Sequence, residues 1–283
     1  MTFDPTLLAR VEDVSLNASA PPQQRWIDGW LVRFSPGKAR RARCVQPVAD
    51  GRLPLAERLA LAQTVFDEAR LPMHVRITPY ARPPALDAEL AARGWPAIEE
   101  TIVMVRRLDA EFAAAAARRG SWPAALTWRD AGPDAYAEAV GALRRSTAAE
   151  CRGHAERLRN SPVPYRGACL AVGPRAEDEN GAGDTAGRDD AGAASVAACA
   201  QVAREGAFVG LYDVFTAPAW RGQRLASLLC ERMLSSEYRE GATTAYLQVA
   251  SDNAAAQAVY RRLGFAEGYR YHYRVPPEAA LRP

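Results

Sequence analysis

The run from Ala217 to Leu229 joins an apolar strand to a helix through an arginine-glycine turn, and this junction restricts the fold more than any other segment. Upstream, Phe208 to Thr216 has the composition of a buried strand. Downstream, Leu225, Leu228, Leu229 and Met233 recur at helical spacing, which predicts a helix from Gly222 to about Ser236. The first N–H groups of a helix lack acceptors, its dipole favours negative charge there, and Gly222 has no side chain to keep an anion away. Arg221 and Arg224 add positive charge. A strand, an anion-binding loop and a helix in this order require a sheet with helices on it, and so an α/β architecture.

A second segment strengthens the first. Thr243 to Val249 reads as a strand, and Asn253 then opens a helix that passes Tyr260 and ends at Gly264-Phe265. Together these residues resemble the Gcn5-related N-acetyltransferase (GNAT) family, whose pyrophosphate loop is written [QR]-x-x-G-x-[GA]. Arg221 fills its first position and Ala226 its last, while Arg224 stands where the family most often has its middle glycine. An arginine there restricts the backbone's approach but can bind phosphate itself. The resemblance implies acetyl-CoA as cosubstrate, held by Val214, Phe215, Thr216, Arg221, Gly222, Gln223, Arg224, Leu225, Ala226, Asn253 and Tyr260. It implies an N-acetyltransferase that moves an acetyl group directly to a primary amine of a small molecule or peptide. It also implies the GNAT fold: a mixed, mostly antiparallel central sheet flanked by helices, α/β in the broad sense and α+β in detail.

Composition narrows the rest. With 48% hydrophobic and 24% charged residues in 283, the chain can bury one large core or two modest ones. A net charge of +3 is too small to indicate a nucleic-acid partner. The start of the chain lacks a basic, apolar leader and no segment has the apolar length of a membrane span, so a cytoplasmic protein without a membrane partner is expected. Cys44, Cys151, Cys169, Cys199 and Cys230 are scattered, and the three histidines are His74, His154 and His272. Neither a disulfide framework nor a metal site is expected. A homodimer is compatible with all of this.

The chain reads as two halves. Residues 122–283 read as the catalytic domain, in the order β-α-α-β-β-β-α-β-α-β, with an acidic, Gly-rich insertion at 173–194 that lacks periodicity. Such a tip would attract a cationic acceptor, an aminoglycoside, polyamine or peptide N-terminus, or else be inert. Residues 1–109 look like a worn copy. An offset of 170 places Gly94-Trp95 on Gly264-Phe265, the strand His74 to Pro79 on Thr244 to Val249, and Thr101 to Arg107 on Tyr271 to Pro277. The helix Leu55 to Ala69 then answers to the phosphate-loop helix. Pro83 and Leu90 stand opposite Asn253 and Tyr260, so this degenerate lobe reads as structural or substrate-shaping.

Acyl transfer from a thioester needs a neutral amine, donors for the carbonyl oxygen and a proton for the departing thiolate. The resemblance makes the main chain around Val214 the carbonyl donor and Tyr260 the general acid; a phenol of reference pKa near 10 can protonate a thiolate of about 8.5. Tyr260 could instead be a packed aromatic, and Asn253 only a helix cap. Asp213, on the same strand, is the candidate general base, with a structural ion pair as its alternative. Tyr212, Tyr269, Tyr271, His272 and Tyr273 form an aromatic set; His272 could titrate near neutrality, but a packed final strand is the favoured reading. A non-catalytic acyl-CoA sensor, which would not need Tyr260, or an enzyme for a longer acyl chain are the other functions compatible with these residues.

Overall fold

Asp4 starts the first helix: its carboxylate accepts the Thr6 N–H at 2.6 Å and the Leu7 N–H at 3.3 Å, with Pro5 preset for the first turn. That helix, α1 (Pro5–Ala18), is absent from the sequence reading, because its apolar positions Val11, Val14 and Ala18 are separated by polar residues that are also buried. The computed structural model describes residues 3–118, 122–172 and 195–277. After α1 come β1 (Gln24–Ile27), β2 (Trp30–Arg33), β3 (Val45–Pro47), α2 (Leu55–Ala69), β4 (Val75–Ile77), α3 (Leu86–Ala92) and β5 (Ala97–Arg107). The second half contains α4 (Ala110–Arg118), β6 (Leu126–Ala131), α5 (Pro133–Arg144), α6 (Ala148–Arg159), β7 (Tyr165–Val172), β8 (Val196–Glu205) and β9 (Phe208–Thr216). It ends with α7 (Leu225–Arg239), β10 (Thr244–Ala250), α8 (Ala254–Arg262) and β11 (Ala266–Arg274). The insertion at 173–194 lies outside the described residues.

The eleven strands among the described residues form one mixed, mostly antiparallel sheet flanked by helices, as the family resemblance implies. At the offset of 170, α2 and α7 coincide from first residue to last. The strand order, β1-β2-β3-β4-β11-β5-β10-β9-β8-β7-β6, does not follow the chain. Strand β5 of the first half sits between β10 and β11, and β11 of the second half sits between β4 and β5. The two halves thus exchange their last strands.

Alternation makes β5 suited to this place. Ile102 and Met104 point into the core built on α7, whereas Val103 and Val105 join Val11, Val14 and Ala18 of α1 on the opposite face. A strand apolar on both faces belongs in the middle of a covered sheet. A separate core holds the first half together, with Trp30, Phe66, Val75 and Leu90 buried between the sheet and α2 and α3.

A buried ion pair fastens α1 to β4, and a tyrosine of the exchanged strand β11 joins it. Glu12 and Arg76 are 5% and 1% exposed; they pair through both carboxylate oxygens, at 3.1 Å for Nη2 and Oε2, and the Tyr269 hydroxyl donates to the same Oε2 at 2.5 Å. Burial alone would raise the Glu12 pKa, but the Arg76 charge and the hydrogen bonds from Arg76 and Tyr269 hold it below the usual carboxylate value. The Arg76 guanidinium also lies 3.9 Å from the centre of the Tyr271 ring.

Removing one partner of such a pair leaves the other charge buried and unpaired. In urea denaturation at neutral pH, Glu12→Ala is expected to lower stability by about 3–5 kcal/mol, and the double change Glu12→Leu/Arg76→Met to recover most of that loss. Because the folded pKa of Glu12 is depressed, its contribution is present above the unfolded-state value and disappears as pH falls through the folded value. The wild-type advantage over the double variant should therefore shrink in acid.

Candidate functional site

Strand β9 changes partners halfway along. It pairs in parallel with β10 from Phe208↔Thr244 to Leu211↔Leu247, and there the pairing stops, although β9 runs on to Thr216 and β10 to Ala250. On its other edge, the register with β8 slips between Cys199 and Gln201, at a bulge centred on Asp213, whose φ is 49°. An aspartate tolerates this left-handed conformation better than most side chains. The parting strands open a cleft of about 950 Å³, walled on one side by Val214, Phe215 and Thr216. Unpaired strand edges of this kind accept an extended ligand by main-chain hydrogen bonds.

The phosphate-loop residues close one end. After a short 3₁₀ turn at Pro218–Trp220, Gly222 takes φ 80° and Arg224 φ 62°, and α7 begins at Leu225 rather than Gly222. Arg224 is the N-cap residue of α7 but makes no capping bond with its side chain. The N–H groups from Gly222 to Leu225 have no backbone acceptor among the described residues. Arg221, Gly222, Arg224, Leu225 and Ala226 line the cleft, whereas Gln223 is exposed and off its wall. Arg221 and Arg224 are exposed and in no ion pair among the described residues.

The facing wall is α8. Asn253 caps it, accepting the Ala256 N–H at 3.1 Å through Oδ1, and also lines the cleft, so the two readings of this residue are compatible. Tyr260 stands one turn beyond Ala256, between the cleft-lining Val259 and Leu263, but is not itself part of the wall. Its ring meets Phe265 edge to face with centroids 6.2 Å apart. Its hydroxyl has no hydrogen-bond partner among the described residues, and burial, with the Cys230 thiol and the Asp213 carboxylate as secondary influences, raises its pKa. The phenol is thus protonated at neutral pH.

Among the cleft residues not read as site residues from the sequence, two stand out by their chemistry. Trp220 supplies apolar surface, and Arg262 is a third exposed guanidinium without an ion pair among the described residues. Arg262 lies two residues beyond Tyr260 in the motif already noticed, and helical spacing from Ala255 and Val259 would have placed it on their face.

Asp213 faces elsewhere. Its carboxylate is 2.7 Å from Arg144 and 3.3 Å from His154 Nε2, accepts the Gln201 amide at 2.6 Å, and lines a second, smaller cavity behind β9. Burial opposes its ionisation, but His154, Arg144 and Arg157 outweigh that and hold the carboxyl far below the usual range. The alternative of a structural ion pair describes this geometry. A carboxylate so held takes up no proton near neutrality. The aromatic set forms a packed core against α1: Tyr212, Tyr269, Tyr271 and Tyr273 are buried, and the Tyr212 and Tyr246 hydroxyls are 2.9 Å apart. His272 is bonded to Asp87 at 3.0 Å. No group of three metal-ligating side chains occurs among the described residues.

Residues 175–274 match the family described as probable histone acetyltransferase Rv0428c, C-terminal. No curated protein matches the chain. Among solved structures, it is similar over 95% of both chains to a GCN5-related N-acetyltransferase from Kribbella flavida, at 16% identity and a TM-score of 0.60. It is similar over 82% of its length to a tandem GNAT protein from the clavulanic acid biosynthesis pathway, covering 74% of that chain at 18% identity and a TM-score of 0.57. At these identities the structural likeness concerns the fold.

The left-handed arginine gives a direct test of the loop. An L-residue in this conformation costs about 1–2 kcal/mol that glycine does not. Arg224→Gly is expected to raise the midpoint of thermal unfolding and Arg224→Ala to leave it nearly unchanged, measured by calorimetry on the purified protein.

Proposed function

From its likeness in fold to GNAT proteins and the match of residues 175–274 to an acetyltransferase family, we propose that the chain is a GNAT-family enzyme, an acetyl-CoA-dependent N-acetyltransferase acting on a primary amine. The observation that carries this reading is the cleft where β9 and β10 part, ending at a helix start with open N–H groups and with Arg221, Arg224 and Arg262 around it. The pyrophosphate is placed on the N–H groups of Gly222 to Leu225 with Arg221 and Arg224 beside it. The acyl-bearing arm follows the free edge of β9, and the main chain around Val214 donates to the thioester oxygen as charge builds there. Gln223, exposed beside the loop, contributes its backbone rather than its side chain.

In the transfer, the amine nitrogen bonds to the carbonyl carbon, the carbon–sulfur bond breaks and the thiolate takes a proton. Tyr260 supplies that proton. Asp213, the candidate base, is better suited to orient His154 and Arg144 than to accept a proton, and the proton lost by the amine leaves through solvent. Residues 122–283 are read as the catalytic domain and 1–109 as a degenerate lobe whose positions 83 and 90, Pro83 and Leu90, carry no cofactor chemistry. No helix among the described residues is long and apolar enough to cross a membrane.

Titration calorimetry tests the binding half. The double variant Arg221→Ala/Arg224→Ala should bind acetyl-CoA about ten- to a hundredfold more weakly than wild type, the loss of one or two charge-assisted hydrogen bonds. No binding by folded wild-type protein at low salt would sink the reading.

Thiol release tests the chemistry. Tyr260→Phe should keep the acetyl-CoA affinity and lose about 10²–10⁴-fold in kcat. A Tyr260→Phe enzyme of full rate would remove Tyr260 from the mechanism, and a wild type that binds but transfers to no amine would favour the acyl-CoA-sensing module.

A further inference from the structure

A cavity of about 200 Å³ lies behind the bulge of β9, between α5 and α6 of the second half and the segment Ser35 to Ala42 of the first. Its floor is Asp213, whose chain neighbour Val214 lines the cofactor cleft. The two compartments are thus lined by consecutive residues of β9. An acceptor in this cavity would stand beside the strand that walls the cleft.

Its charge is lopsided. Lys38, Arg41, Arg144 and Arg157 line it against two carboxylates, Asp213 and Glu150. Arg144 pairs with Asp213 at 2.7 Å and Lys38 with Glu150 at 3.2 Å. That leaves two guanidinium groups over. Arg157 is 8% exposed, yet its partner is a tyrosine: Nη1 donates to the Tyr165 hydroxyl at 3.4 Å, and the guanidinium lies 5.5 Å from the centre of that ring. Arg41 reaches Gln248 and the Tyr212 ring. Each feels a carboxylate at longer range, Arg157 that of Asp213 and Arg41 that of Glu12, but neither has one in ion-pair range among the described residues. Buried guanidinium groups are ordinarily matched by anions, because an unpaired charge away from water is costly.

We propose that this cavity is the acceptor site and that the acceptor carries a carboxylate along with its amine, the carboxylate meeting Arg157 and Arg41. The proposal rests on the acetyl-transfer reading and adds the acceptor's chemical class. The amine end then lies toward Asp213 and the cleft, and the fork of a guanidinium suits a carboxylate in bidentate contact. A polyamine or an aminoglycoside would place cations among unmatched cations. The acidic insertion at 173–194, read from sequence as a lure for such acceptors, is outside the described residues and does not enter this charge balance.

The test has two arms on the full chain. In the first, thiol release from acetyl-CoA is compared for glycine, β-alanine, γ-aminobutyrate and ε-aminocaproate, each against its carboxamide and the diamine of matched length. The best acid should exceed its amide in kcat/KM by about tenfold or more, the scale of one hydrogen bond to a charged group. Arg157→Gln should bring that ratio near one without changing the affinity for acetyl-CoA. Arg41→Gln, which removes the other guanidinium placed against the carboxylate from a half-buried position, should reduce the ratio in the same way and serves where Arg157→Gln does not fold. A panel in which amides or diamines equal or surpass the acids overturns the proposal.

The second arm needs no transfer. Cys151 lines this cavity, while the other four cysteines are buried away from solvent. With iodoacetamide as probe, the acids should slow its alkylation and the amides should not; equal protection, or none, overturns the proposal. Failure to bind acetyl-CoA with intact acid-selective protection would remove the transferase reading and leave the anion-binding cavity standing.

Discussion

Strand β5 hydrogen-bonds to β10 along one edge and to β11 along the other, and the remainder of the molecule depends on this exchange. Seven consecutive positions, Thr101 to Arg107, pair with Ala250 back to Thr244, while β11 on the far side reaches on to β4. Neither half has a complete sheet without the other's last strand. The exchange also fixes the layers: residues of β5 alternate between the core under α7 and the core under α1, so one strand contributes to two hydrophobic interiors at once. The ion pair of Glu12 with Arg76 sits on the α1 side of this junction, where a misregistered strand would leave a charge unmatched.

The second constraint is a single residue out of step. Had β9 stayed regular, it would have continued beside β10 and there would be no cleft. The bulge at Asp213 lets Tyr212 stay in the core toward α1 while Val214 to Thr216 turn to the cleft. The bulge is secured from several directions: the Tyr136 hydroxyl donates to the Asp213 carbonyl at 3.0 Å, and Arg144, His154 and Gln201 hold its carboxylate. The cleft that carries the proposed chemistry is thus a by-product of where a buried charge is anchored, and that anchor belongs to the wall of the second cavity.

Much of this was legible in the sequence, and the reason is local. The loop from Arg221 to Ala226, the helix with Leu225, Leu229 and Met233, and the Asn253 cap are set by residues within a turn or two of one another. The offset of 170 was readable from Gly94-Trp95 and Gly264-Phe265, whose glycines take φ 76° and 81° after α3 and α8, and from the strands that flank them. What was not legible is long-range. Nothing near Ala97 to Arg107 announces that its partners are residues 244–250 and 266–274, because an apolar strand suits any central position. The orientation of Asp213 was undetermined by alternation, since the bulge breaks the alternation at that residue. Arg224 was read as a substitute for glycine in the pattern, but that it would also keep glycine's left-handed backbone is a property of the closed loop.

The first half has Pro83 and Leu90 opposite Asn253 and Tyr260, yet it supplies β5, whose removal would split β10 from β11, and the segment Ser35 to Ala42, which roofs the second cavity. That segment is itself tied across the molecule, with Lys38 paired to Glu150 of α6 and Arg41 reaching Gln248 of β10. If the roof comes from one half and the cleft from the other, substrate selection and cofactor binding can change separately, because a substitution at Lys38 or Arg41 touches no residue of the phosphate loop. The second cavity is walled by residues of both halves, which is a physical reason for the two halves to stay joined through exchanged strands.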